Sequence, residues 1–356
     1  MSVTLKDLAK KLGMAPSTIS RILRNAPRAS EFREETRERV MLVAQEMGYK
    51  RNVSAATIRS GFNSSTIGIL LCEQEEPIYP TVLRLIKNLN QLGFGARVYC
   101  SDDIHAIFQE IASNQIRYII NYKRLRADLD ISVDYCRKRQ LKMVIARNAM
   151  LYPDYPVFGS DDQRIMRDMV AYLYHLGHRK IALHCGSHEE RTFANALRHA
   201  GFLDGVKAFG IEECSAMAVC PSNFSEEILL ELLQKHTPTA ICCSGTSLAL
   251  QIELSLRDIG IRVPDDISLI AFGDMPRLQR YSRPQITSMK ETEQGEMLEQ
   301  ILAYFRSGAP RKNDGAEFSQ LCDAKLIVRG STAAPNPQPQ SLLKRFSHHH
   351  IKKGMR

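Results

Sequence analysis

Apolar residues recur at two different periods along the 356-residue chain. Near the start the period is helical. Leu5, Leu8, Ala9 and Leu12 fall at i, i+3, i+4 and i+7, one face of a helix. Thr4 suits its N-cap, with Asp7 three residues on as in a capping box, and Gly13 suits the left-handed position past its end. Pro16 suits the first turn of a second helix with Ile19, Ile22 and Leu23 as its apolar face. A third helix is predicted from Thr36 to Met47, with Val40, Val43, Ala44 and Met47 inward and Gly48 as its stop. The first two are too short to be stable alone, but the three can bury one shared core. Ser17, Thr18, Ser20 and Arg21 are left on or near the outer side of the second helix. The stretch "NVSAATIRSG", 52–61, reads as about two turns of helix, marginal in water, or as a plain linker.

From Thr66 the pattern changes to apolar strands alternating with amphipathic helices. "TIGILL", "ARVYC", "YIINY" and "KMVIAR" are predicted strands, separated by helices at "YPTVLRLIKNLNQLG", "IHAIFQEIASNQ" and "VDYCRKRQ". "KRLRADLD" between them reads as a solvated loop and helix start. After "YPDYPVFGSDD" the alternation restarts. Helix "IMRDMVAYLYHLGH" precedes strand "KIALHCG", and helix "FANALRHAGFLDGVKAFG" precedes strand "AMAVCP". Helices "SEEILLELLQK" and "SLALQIELSLRDIG" then flank strand "AICCSG", ahead of strand "ISLIAFGD". Such alternation argues parallel sheets with right-handed crossovers. Two rounds of it argue two doubly wound α/β lobes, with ligands beyond the carboxyl ends of the strands.

Charge sharpens the division. Residues 1–61 hold twelve lysines and arginines against six acids, net +6, and residues 333–356 hold five against none. The middle, 62–332, is left at net −2. A basic N-terminal module on a near-neutral body points to a polyanion partner, or to a soluble surface with lopsided charge. The nine cysteines form no C-x-x-C pair, which favours reduced thiols. Cys242-Cys243 lies in an apolar run and reads as buried strand thiols. The N-terminus goes straight into a charged amphipathic pattern without a signal peptide, and "IGILLC" is far too short to span a bilayer. The expectation is a soluble, cytoplasmic protein with no membrane partner.

Short hydroxyl side chains at a helix start can bond phosphates or base edges, and an arginine one turn on can fork onto guanine. This is the helix-turn-helix arrangement; the alternative is a small bundle with an accidental polar face. The 52–61 stretch then becomes a hinge that turns helical on docking to DNA. "VTLKDLAKKLGMAPSTISRIL", "ETRERVMLVAQEMGYKRN" and the hinge resemble the LacI/GalR family of transcription regulators. The resemblance runs on through "YLYHLGHRKIALHCG", "LRHAGFLDGVKAFGI", "LRDIGIRVPDDISLIAFGDMP" and "RPQITSMKETEQGEML" to "VRGSTAAP". It implies a periplasmic-binding-protein-like core, dimeric or tetrameric, that binds a small effector and a pseudo-palindromic double-stranded DNA operator, with repression as the default. By resemblance Pro16, Ser17 and Arg21 fall at base-reading positions, and Ile58 at a wedge that enters the minor groove and bends the DNA. The DNA-contacting set is Thr4, Pro16, Ser17, Thr18, Ser20, Arg21, Asn52, Ala55, Ile58 and Arg59. Three features depart from the family: "SEFREETRERV" is three residues longer, Arg51 replaces a proline and Ala56 an arginine.

The implied organisation is a helix-turn-helix domain over 1–49, a hinge over 50–61, a two-lobed core over 62–332 and a basic tail over 333–356. The lobes are expected at about 66–157 and 158–288, with crossovers and C-terminal segments returning. The tail is expected to be disordered, with an auxiliary DNA contact as the alternative. Expected effector contacts are Arg147, Asp161, Arg198, Thr246, Asp274 and Glu291. Ala146, Gly245-Thr246 and Gly273 stand where sugar-binding members carry acidic or amide groups, while Arg198 matches the family's ligand-binding arginine. Two readings stay open: an anionic or phosphorylated metabolite held by Arg198 and Arg147, or a cleft that has lost its ligand. His184, His188 and Glu189 read as polar residues at the cleft edge; a metal site there fits no strong spacing. No cofactor is expected. An enzyme would need a P-loop, a G-x-S-x-G elbow or a dinucleotide fingerprint, and none is present. A secreted solute-binding protein would need a signal peptide.

Overall fold

The computed structural model describes residues 3–23, 32–49, 63–72, 78–146, 152–185, 193–217, 224–291 and 297–336; for 193 and 212–217 it describes backbone only. The expected hinge, with Asn52, Ala55, Ile58 and Arg59, lies outside these residues, as do Arg147, His188, Glu189 and most of the tail. The chain divides into two units, Met1–Ser65 and Thr66–Arg356.

The first unit is three helices: α1 (Leu5–Leu12), α2 (Pro16–Leu23) and α3 (Glu34–Glu46). The capping box forms as expected. Thr4 N donates to Asp7 Oδ2 at 2.8 Å, and Thr4 Oγ1 accepts from Asp7 N at 3.4 Å. Gly13 ends α1 in the left-handed region, φ 66°, where a side chain would be strained. Helix α3 begins two residues before the expected Thr36. Glu34 and Glu35 occupy its first turn, where negative charge suits the helix dipole, and Glu34 pairs with Arg37 at 3.4 Å. The shared core is Leu8, Leu12, Ile19, Ile22, Val40 and Ala44, with Phe32 and Tyr49 packed against it.

In the second unit, β1 (Asn63–Leu71), α4 (Tyr79–Gln91), β2 (Gly95–Cys100), α5 (Ile104–Ser113), β3 (Ile116–Asn121), α6 (Arg126–Arg139) and β4 (Lys142–Ile145) build the first lobe. Its four strands are parallel, in the order β2-β1-β3-β4. The short β5 (Phe158–Ser160) leads to α7 (Asp162–His175) and the second lobe. There follow β6 (Lys180–Cys185), α8 (Phe193–Phe209), β7 (Glu212–Met217), α9 (Glu226–His236), β8 (Ala240–Cys243), α10 (Thr246–Asp258), β9 (Ser268–Phe272), α11 (Pro276–Gln279) and β10 (Thr287–Glu291). Strand β7 starts four residues before the expected Ala216, because parallel pairing to β6 runs from Lys180↔Glu212 to Cys185↔Met217. The chain then returns to the first lobe as α12 (Leu298–Arg306), α13 (Asp314–Phe318) and β11 (Gln320–Cys322), which pairs with β5. It recrosses to end as β12 (Ala324–Ile327), the antiparallel edge of a six-stranded sheet ordered β12-β10-β9-β8-β6-β7.

The returning helix α12 completes the first lobe's core. Leu298, Ile301, Leu302 and Phe305 pack with Ile67, Ile69, Ile120 and Val144. A buried lysine ties it down. Lys142, at the start of β4, donates to the Tyr304 carbonyl at 2.5 Å and to Ser307 Oγ at 2.6 Å, and lies 4.2 Å from the Tyr304 ring centroid. A cation at a helix C-terminus is favourable; burial nevertheless pulls its pKa down to about 8.

Cys242 and Cys243 are buried strand thiols, and burial raises both pKa values. His184 is buried too. It stands beside Cys243 across β6 and β8 on the face covered by α9 and α10, 5.8 Å from the Phe224 ring, with neither ring nitrogen hydrogen-bonded. Among the described residues no three potential ligands cluster for a metal ion. Burial lowers the His184 pKa from 6.5 to about 4. The unfolded chain therefore takes up a proton below pH 6.5 that the folded chain refuses until about pH 4, and stability drains away as pH falls through that window. His184→Leu is expected to remove this loss, gaining about 2 kcal/mol at pH 5 relative to its effect at pH 7. Urea unfolding at the two pH values checks it; an unchanged pH slope refutes it.

Candidate nucleic-acid interface and effector cleft

On α2 the split between faces is clean. Ile19 and Ile22 are buried, while Pro16, Ser17 and Arg21 are exposed and Thr18 and Ser20 half-buried. The expected base-reading side chains thus share the solvent side of one eight-residue helix. Thr4 is exposed, and its hydroxyl is engaged twice by Asp7. The guanidinium carbon of Arg21 lies 5.9 Å from the Phe32 ring centroid.

The other site is built at the carboxyl edge of the second lobe, where α7 begins. Asp161 is its N-cap, accepting from Arg164 N at 3.1 Å and pairing with the Arg164 side chain at 3.6 Å. Arg164 in turn meets Asp323 beside the last crossover. Asp162, the first helical residue, is buried. It accepts from Ser160 Oγ at 2.6 Å and from Arg198 Nε at 2.9 Å. Arg198 comes from α8 and also donates Nη1 to the Ser244 carbonyl after β8 at 2.7 Å. Its guanidinium carbon lies 3.9 Å from the centroid of the Phe272 ring. Gly201 makes this reach possible. A Cβ there would fall 2.0 Å from the Gln163 carbonyl oxygen in the first turn of α7.

The remaining expected contacts differ in kind. Thr246 donates to the Gly273 carbonyl at 2.9 Å. Asp274 is held at 3.0 Å by Arg329 Nη2 and at 3.0 Å by Ser288 Oγ, so its carboxylate closes a buried pair. Glu291, at the end of β10, is exposed. On the first lobe, Lys123 lies just past β3, buried, with Nζ 2.5 Å from the Ser101 carbonyl past β2. Asp162, Arg329 and Lys123 were not among the residues expected from sequence. Asp162 adjoins an expected acid; the other two carry no local signal.

Comparison with known proteins agrees on both units. Residues 4–52 match the model for bacterial regulatory proteins of the lacI family, and residues 170–332 that for a periplasmic binding protein-like domain. The chain is 26% identical to the HTH-type transcriptional regulator AglR of Rhizobium meliloti (strain 1021), over 96% of this chain and 99% of that one. It is 27% identical to the HTH-type transcriptional regulator DegA of Bacillus subtilis (strain 168), over 94% and 100%. Its fold matches a Lac repressor dimer solved with operator and the anti-inducer ONPF, with TM-score 0.69 and 21% identity, covering 94% of this chain and 100% of that one. Among the described residues no helix is long and apolar enough to cross a membrane.

The pairing at α7 has a measurable stability. Arg198→Met leaves Asp162 buried with only the Ser160 hydroxyl, an expected loss of about 3 kcal/mol. Adding Asp162→Asn in the same chain is expected to recover most of it. Gly201→Ala is expected to cost about 1–3 kcal/mol by forcing α8 away from α7. Urea unfolding of the four chains checks all three; a loss below about 1 kcal/mol for Arg198→Met refutes the pair.

Proposed function

We propose that this chain, which belongs to the LacI/GalR family of DNA-binding transcription regulators, is a repressor whose operator affinity is set by a small anionic metabolite. The operator half of the reading is carried by α2, whose Pro16, Ser17 and Arg21 face solvent over a buried Ile19 and Ile22. A helix of this size enters the major groove, where the arginine fork suits guanine O6 and N7. Ile58 acts with it as the minor-groove wedge. Asn52, Ala55 and Arg59 complete the hinge contacts.

Large apolar side chains left exposed on both lobes support a homodimer. Leu83, Leu92 and Val98 lie on or beside α4 and the edge strand β2; Leu254, Leu278 and Tyr281 lie on or near α10 and α11. A two-fold dimer reads a pseudo-palindromic site, with half-sites set by the spacing of its two reading heads. Selection of bound duplexes from random DNA with the full chain is expected to return such palindromes. Arg21→Ala should then lower the preference for selected over scrambled duplex at least tenfold. Ile58→Ala should lower affinity and DNA bending at the same sites. Unchanged preference and affinity in both variants refute the operator model.

The effector half rests on one observation: the buried carboxylates of the second lobe are already engaged. Asp162 belongs to Arg198 and Asp274 to Arg329. Neutral sugars need free buried acceptors for paired hydroxyls, whereas Arg198 keeps Nη2 as a donor. An acceptor-rich ligand, a sugar acid or sugar phosphate, fits that balance, with Arg147, which lies outside the described residues, as the second basic contact expected from the sequence. Binding shifts operator affinity only by its differential affinity for the two states. Thermal unfolding against sugar phosphates, sugar acids and neutral hexoses checks it. Stabilisation by the anions is expected; stabilisation by neutral hexoses alone overturns the anionic reading.

A further inference from the structure

Arg21 is the exposed arginine of the reading face, and among the described residues it carries no ion pair. It has one notable neighbour. Its guanidinium carbon stands 5.9 Å from the centroid of the Phe32 ring, inside the roughly 6 Å range in which the negative face of an aromatic ring attracts a cation. Phe32 is itself fixed. It is half-buried, packs against the core of Leu8, Ile19, Ile22 and Val40, and lies two residues before the first residue of α3. The ring therefore belongs to the body of the three-helix unit while reaching the end of α2 that carries Arg21.

We propose that Phe32 is a positioning residue for DNA reading: its ring holds the Arg21 guanidinium in place before DNA arrives. The inference rests on the reading of Arg21 as a base-contacting residue. An exposed arginine has many rotamers, and placing a two-pronged fork on one guanine freezes most of them. A ring that restricts the side chain beforehand reduces that entropy loss. The attraction uses the face of the guanidinium and leaves its in-plane N–H groups for base acceptors. The benefit is confined to specific binding. Phosphate contacts in non-specific complexes tolerate any arginine rotamer, and Phe32 brings no charge, so the salt dependence stays the same.

The test uses the full chain, a duplex selected from random DNA and a scrambled duplex of equal length. Phe32→Leu keeps an apolar group on the core and removes the ring. It is expected to weaken binding to the selected duplex about two- to fivefold, leaving the scrambled duplex and the salt slope unchanged. Phe32→Tyr keeps the ring and is expected to bind like the parent. In an Arg21→Ala background, Phe32→Leu should do nothing further, since the cycle isolates the pair. Before DNA is added, the Arg21 Hδ protons should show an upfield ring-current shift that Phe32→Leu abolishes. An absent shift, an equal loss on both duplexes, or an undiminished effect of Phe32→Leu without Arg21 each overturns the proposal. If Arg21→Ala itself leaves the preference for the selected duplex intact while the ring-current shift is present, the base-reading role fails and the contact alone survives.

Discussion

The close approach of α8 to α7 at Gly201 is the constraint on which the carboxyl edge of the second lobe depends. Two helices normally pack with axes 8–10 Å apart; here the missing Cβ brings the α8 backbone onto the Gln163 carbonyl. Arg198, one turn earlier on α8, then reaches the first residue of α7 and the carbonyl that follows β8. One side chain thus fixes the start of the helix after the first crossover against the end of a central strand. Asp161 caps the same helix, and its partner Arg164 reaches Asp323 beside the last crossover. The segments that join the lobes are therefore bonded at the carboxyl edge of the second lobe's sheet.

Much of the N-terminal unit was legible because its signals are local. The Thr4–Asp7 box, the left-handed Gly13 and Pro16 at the start of α2 are decided within a few residues, and each forms as the spacing predicts. The strand and helix alternation was legible for the same reason, since parallel strands covered on both faces read as continuous apolar runs. Element ends were less so. The start of β7 follows its pairing with β6, which lies about thirty residues upstream, and nothing within the "AMAVCP" run sets it.

What sequence could not give is pairing between distant residues. Asp161 and Asp162 are equivalent as letters. Only the fold decides that one caps a helix and the other meets an arginine 36 residues away. Asp274 looked like a free acceptor because its partner, Arg329, stands 55 residues on, past a complete excursion into the first lobe. The excursion itself, α12 and α13, hides in a stretch where strand and helix no longer alternate. His184 reads as a polar residue at a cleft edge, yet strand parity turns it onto the covered face beside Cys243.

On the anionic reading proposed above, these pairings set how the cleft would discriminate. A lone arginine attracts any anion, and its selectivity comes from charge. Arg198 is different, because a buried carboxylate 2.9 Å from its Nε already offsets its charge at a distance. An incoming anion meets little net attraction until it is close enough to use the remaining Nη donors, and there direction matters more than charge. A tetrahedral phosphate or planar carboxylate in line with those donors gains two hydrogen bonds in a low-dielectric site; one arriving off-axis meets the Asp162 charge instead.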